Sequence, residues 1–162
     1  MRRKDREVTN WQDMIDIVHT SDVCRLGLSD EGKPYIVPMN FGFIVENDKC
    51  TLYFHCAHEG RKLDILRKNP AVCFEMDCQH QLISHKDASK YSMSYASIIG
   101  DGLISFITDE AEKRTAMLSM MAKYAPDETP TFDKAILDTV TILRLDIQSW
   151  SGKCNPRPPS QT

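Results

Sequence analysis

Two periods organise the chain. Residues 23–29 alternate apolar and polar in the manner of a strand, and so does the last long stretch, from Thr139 to Trp150. Between them Tyr35 to Val45, Cys50 to Cys56, Ala71 to Cys78 and Ser94 to Ile107 also read as strands. Asp30-Glu31-Gly32-Lys33-Pro34 is a hairpin turn, and Glu46-Asn47-Asp48-Lys49 turns the second strand into the third. Pro38 and Gly42 interrupt the second strand and predict a bulge or a sheet edge, because proline cannot donate to a ladder. The glycines at 100 and 102 predict a bend or barrel corner in the strand that holds them.

A period near 3.6 marks the helices. After a capping residue in Thr9-Asn10, the residues Trp11, Met14, Ile15 and Val18 share one helical face. A second helix runs from about Gly60 to Lys68 and stops before Asn69-Pro70. A third opens on the Thr108 cap, with acidic residues in its first turn, and runs to about Tyr124. A short helical piece lies near Phe132 to Leu137, and the polar stretch Gln79 to Tyr91 has no period and reads as a loop. Six strands with mostly short connections predict a mainly β (α+β) fold built on a six-stranded antiparallel barrel. One domain spans 1–154, and the Pro-rich end, 155–162, reads as a disordered tail.

Composition narrows the function classes. A net charge of −3 leaves no global positive field to attract nucleic acid or an anionic membrane. No apolar run approaches the ~20 residues needed to span a bilayer, and no secretion signal is visible, so the expected compartment is the cytoplasm. In that reducing setting the six cysteines read as small hydrophobes, with Cys24, Cys56, Cys73 and Cys78 in or beside strands. Cys73, Cys78, His80 and His85 cluster in sequence, but their spacing is not a usual zinc arrangement, and no metal is expected. Neither a dinucleotide fingerprint, a Walker loop nor a nucleophile elbow is present.

The richest chemistry lies in Leu52-Tyr53-Phe54-His55-Cys56-Ala57-His58-Glu59-Gly60-Arg61-Lys62. Here a strand breaks at a glycine and restarts as a helix with two cations in its first turn. Cations at that end oppose the helix dipole, at a cost of a few tenths of a kcal/mol each. The placement makes sense if an anion, most simply a phosphate, sits among the free N–H groups, the Arg61 fork and the Lys62 ammonium. The alternative is a solvated basic helix start, offset by Glu59 and Asp64.

Taken with Cys24-Arg25-Leu26-Gly27-Leu28, Val37-Pro38-Met39-Asn40-Phe41, Tyr95-Ala96-Ser97-Ile98-Ile99-Gly100 and Trp150-Ser151-Gly152-Lys153, this segment gives the chain its resemblance to a family. It resembles the FMN-binding split-barrel proteins related to pyridoxamine 5'-phosphate oxidase, and within them the 5-nitroimidazole resistance branch. The resemblance implies a cytoplasmic homodimer with a flavin at each interface site, FMN in the first place and FAD as an alternative. It assigns the phosphate to Gly60, Arg61 and Lys62, and the ring floor to Val37, Pro38, Met39 and Asn40. His55, Cys56 and Ala57 would border the cavity, with His55 as candidate proton donor. Tyr95 and Ser97 would reach the cofactor across a two-fold axis, and Trp150 and Lys153 would flank it. Each role has a bland counterpart: Asn40 bonding strand backbone, His55 satisfied at a strand end, Trp150 in an exposed terminal patch. The implied activity is reduction of a small planar acceptor, with nitroimidazole as archetype. The alternative is a flavin or haem binder without turnover, acting as store, sensor or scavenger. Pyridoxamine 5'-phosphate oxidation itself is disfavoured, because no second Arg-rich cluster offers a further phosphate site.

Overall fold

The computed structural model describes residues 2–155. Its strands are β1 (Glu7–Val8), β2 (Cys24–Asp30), β3 (Lys33–Met39), β4 (Gly42–Glu46), β5 (Lys49–Cys56), β6 (Ala71–Ile83), β7 (Ser92–Ile107) and β8 (Thr141–Asn155). The helices are α1 (Trp11–Thr20), α2 (Arg61–Lys68), α3 (Glu110–Tyr124) and α4 (Lys134–Leu137). All pairings are antiparallel, in the order β3-β2-β6-β7-β8-β5-β4, with β1 added to β8.

The mainly β, antiparallel expectation holds, but the six-stranded barrel is corrected to an eight-stranded sheet whose end strands do not pair. The main reason lies at Asn40-Phe41. The stretch from Tyr35 to Val45 is not one strand; β3 and β4 are the two opposite edges of the sheet, joined by two residues. Pro34 and Pro38 fit there because β3 pairs only with β2, so one side of the strand needs no ladder donors. Both hairpins next to these edges are two-residue turns. Glu31 and Gly32 have φ of 52° and 86°, and Asn47 and Asp48 have φ of 50° and 57°. Positive φ at both centres is the geometry that matches strand twist in the tightest hairpins.

Two further expectations change. The loop read over 79–91 begins later than expected: β6 runs on to Ile83 after a bulge at which Gln79 and His80 face Tyr95 alone, and 84–91 are loop with one short helical turn at Ala88–Lys90. Gln79 takes φ 60° there, which re-aims the strand and restores its pairing with β7. The tail read from 155 lies outside the described residues, apart from Asn155 itself, which ends β8. The bend expected at the glycines is present as a register shift between β7 and β8 at Asp101 and Gly102. No described helix is long and apolar enough to cross a membrane.

The main core forms where α1 (Met14, Ile17, Val18) and α2 (Leu63, Leu66) meet the inward residues of the sheet, among them Leu52, Phe54, Phe74 and Ile98. Asn10 caps α1, its side chain accepting from the Asp13 N–H at 3.1 Å. A smaller core under α3 joins Ala116 and Met120 to Tyr53, Ile107 and Ile142. Strand β5 serves both cores. Cys50, Leu52, Phe54 and Cys56 are buried toward the first, while Tyr53 packs in the second. That alternation turns His55 toward α3.

Candidate functional site

The loop between β5 and α2 is built as the sequence suggests. Gly60 is the N-cap of α2, with φ 139°, a conformation that disfavours any side chain, and a Cβ built on it would meet nothing within 4 Å. The Leu63 and Asp64 N–H groups bond the Gly60 carbonyl at 2.9 and 3.3 Å. Among the described residues the Arg61 and Lys62 backbone N–H groups have no partner, so two donors face open space beside two cations.

The two cations differ in how far they are committed. Arg61 donates to Asp30 at 3.2 Å and lies over the Tyr35 ring, 4.6 Å from its centroid. It ties α2 to the β2–β3 hairpin, and the rest of its fork has no partner among the described residues. Lys62 forms no ion pair among the described residues, and its charge favours ionisation of the neighbouring Cys56 thiol, against a larger upward push from burial. His58 is exposed but anchored: Nε2 donates to the Asp138 carbonyl at 2.8 Å and Nδ1 meets Thr141 Oγ1 at 3.0 Å. The loop is thereby pinned to the turn before β8.

His55, exposed at the end of β5, places Nδ1 3.2 Å from the Met120 sulfur. A thioether only accepts, so Nδ1 carries the proton and the neutral ring offers Nε2 as an acceptor. Val37 is half-buried, Pro38 exposed and Met39 buried. Asn40 is exposed and its Nδ2 donates to the Asp22 carbonyl at 3.3 Å, so its bond to backbone is real. Gly42 stands opposite Tyr53, which puts Asn40 at the same end of β5 as His55.

Tyr95 and Ser97 sit elsewhere, half-buried on the outward face of the central strand β7. Their neighbours are Lys153 and Asp77, both opposite Ser97, and Lys153 Nζ lies 5.6 Å from the Tyr95 ring centroid. A hydrogen bond from Lys153, helped by Arg6, lowers the Tyr95 hydroxyl below its ordinary range. Ile99 on the same face is 54% exposed. No hydrogen bond or ion pair among the described residues links this face to Arg61, Lys62 or His55. Trp150 is half-buried against Trp11, ring centroids 5.4 Å apart, at the rim of the main core.

Three sets of contacts escaped the sequence reading: Asp30 and Tyr35 around Arg61, Met120 beside His55, and Asp22, itself held by Tyr124, for Asn40. Only the first carried a local signal, as part of a recognisable hairpin. Cys73 is corrected from buried to exposed, since it alternates to the outward face of β6, whereas Cys24, Cys56 and Cys78 are buried and so is Cys50. Among the described residues no three His, Cys, Asp or Glu side chains are grouped to hold a metal.

The fold is shared with known proteins. Residues 10–154 match the model of the pyridoxamine 5'-phosphate oxidase family. The chain belongs to that family. A structure from Bacteroides thetaiotaomicron, assigned provisionally to 5-nitroimidazole antibiotic resistance, is 33% identical with a TM-score of 0.79, over 91% of this chain and 86% of that one. An FAD and heme binding protein from Mycobacterium smegmatis superposes with a TM-score of 0.81 at 19% identity, over 97% and 77% of the two chains. An FAD-binding protein from Mesorhizobium loti does so at 0.68 and 20%, over 93% and 98%. These last two likenesses speak for the fold. No curated protein matches the chain.

Proposed function

We propose that this member of the family is a homodimeric flavoprotein that holds FMN and reduces a small planar acceptor of the nitroimidazole type. The observation that carries the reading is the start of α2, where the uncommitted Lys62, the part of the Arg61 fork not bonded to Asp30 and two unpartnered N–H groups surround an open glycine. That donor set suits a phosphate dianion. Apart from the phosphate, FAD presents the same ring, and the Mycobacterium smegmatis and Mesorhizobium loti relatives are described as FAD-binding.

When bound, the flavin supplies the electron transfer, and the chain supplies placement and protons. Lys62 and Arg61 would hold the phosphate. Asn40 would meet the polar edge of the ring, with Val37, Pro38 and Met39 beneath it. His55 would serve the acceptor as proton donor, and because its Nδ1 proton is engaged by Met120 it would do so from Nε2 of the imidazolium. Tyr95 and Ser97 would join the site from a second copy, through the open outer face of β6, β7 and β8 on which Ile99 is exposed.

A second reading, a binder without turnover that carries haem or flavin, is favoured by the same histidine. An exposed ring with a free Nε2 lone pair is what haem iron takes, and the Mycobacterium smegmatis relative is described as binding both groups. An absorption spectrum of the purified protein, with mass spectrometry of what denaturation releases, tests both. FMN with a band near about 450 nm supports the first reading, and a band near about 400 nm the second. A colourless chain that takes up neither group overturns both.

A further inference from the structure

We infer that Asn40 reads an N–H donor on the ligand through its Oδ1, and that Tyr124 is the positioning residue that makes it do so; this rests on the flavin reading above. The two-residue crossing from β3 to β4 leaves the ladder, and Phe41 is fully buried while Asn40 is exposed. Its backbone is secured by a side chain from the far end of α3. The Phe41 N–H donates to the Tyr124 hydroxyl at 3.1 Å, and that hydroxyl donates to the Asp22 carbonyl at 2.7 Å. Asn40 Nδ2 donates to the same carbonyl at 3.3 Å. One carbonyl oxygen therefore accepts two bonds and its lone pairs are used.

The consequence falls on the amide. A carbonyl cannot donate, so turning the Asn40 amide over would set two acceptors against each other. The nitrogen must face Asp22, and Oδ1 is left as the acceptor, with no partner among the described residues. The Asp22 segment is itself held. Lys123 Nζ donates to the Val18 and His19 carbonyls, at 3.1 and 2.7 Å, at the C-terminal end of α1, and lies 4.7 Å from the Phe41 ring centroid. The last turn of α3 thus locks the end of α1 and the β3–β4 crossing into one unit. A rigid outward acceptor selects a ring that bears an N–H at its edge, as the imide of a flavin does. It disfavours one that offers only carbonyls there.

The test compares FMN with FMN methylated at the imide nitrogen, by quenching of flavin fluorescence on binding. The unaltered chain is expected to prefer FMN by roughly 3- to 10-fold, the worth of one net hydrogen bond. Tyr124→Phe keeps the ring but removes the hydroxyl, and should bring that ratio toward one; because it also leaves the Phe41 N–H without its acceptor, the melting temperature should fall and the ratio is read well below it. Asn40→Ala should do the same, and the double variant should lose no more than Asn40→Ala alone. A ratio near one in the unaltered chain would overturn the assignment, whatever the variants do. A ratio that survives Tyr124→Phe would also sink it, since a purely steric penalty from the methyl group persists in that variant. Failure of the unaltered chain to take up FMN at all would instead overturn the flavin reading, and this inference with it.

Discussion

His55 and Met120, 65 positions apart, meet through a 3.2 Å contact between Nδ1 and the thioether sulfur. It joins the end of β5 to α3 and selects one tautomer of an exposed ring. Nitrogen-15 NMR on the neutral histidine should show the proton on Nδ1. Met120→Leu, which keeps the volume and removes the acceptor, should shift the population toward the Nε2–H form. An unchanged tautomer ratio would remove the sulfur from the account.

The unequal commitment of the two first-turn cations predicts unequal losses. Lys62→Ala should weaken FMN by roughly 10- to 100-fold, the range for a hydrogen bond to a charged group. Arg61→Ala should cost less in affinity, since Asp30 and Tyr35 already hold part of that side chain, and should also loosen the β2–β3 hairpin. Riboflavin, which lacks the phosphate, is the control in a titration series. Its affinity should not respond to Lys62→Ala, and an equal loss for both ligands would place the lysine elsewhere.

Gly42 should tolerate no side chain. A Cβ there would come within 2.6 Å of the Met120 backbone nitrogen and would also strike Ser119, and a backbone atom in a helix cannot step aside. Gly42→Ala should destabilise by about 1–3 kcal/mol and lower the melting temperature by roughly 2–12 °C. Gly27→Ala is the matched control: its nearest neighbour would be the Cys73 carbonyl at an ordinary 3.5 Å, so its thermal scan should stay close to that of the unaltered protein.

Buried thiols predict the alkaline limb of stability. Burial pushes Cys50 up from 9.0 to about 12, and Cys24 is raised as well, again chiefly by burial. The fold favours the neutral thiol, so this contribution is whole below about pH 9 and is lost as pH rises from there toward 12. Urea unfolding at several alkaline pH values should show stability falling in that window. In Cys50→Ala the starting stability should be lower and the fall shallower. Under native labelling with mass mapping, exposed Cys73 should react first, with Cys24 and Cys50 protected until the chain opens.

Much of this is legible in the sequence. Strand periodicity located β2, β5 and β8, and capping chemistry located α1 and α3 within a residue or two. The Glu31-Gly32 and Asn47-Asp48 turns followed from residues that accept positive φ. Gly60-Arg61-Lys62 stood out because its charges conflict with the helix they begin. Less legible were the continuation of β6 past Cys78, where a polar outward strand has no apolar rhythm to betray it, and the break of the second strand at Asn40-Phe41.

Sequence alone thus determined what depends on neighbours a few residues away: which faces are apolar, where the chain turns, where a helix starts and what charge it carries. The tertiary structure alone decided that β3 and β4 are opposite edges, that Asn40 is clamped through Asp22 by Tyr124, and that Arg61 is shared with Asp30 while Lys62 is not. The physical reason is that hydrogen bonds and ion pairs are satisfied by whichever partner folding brings within about 3 Å. For Asn40 that partner's anchor lies on a helix more than eighty residues away, beyond the reach of any local pattern.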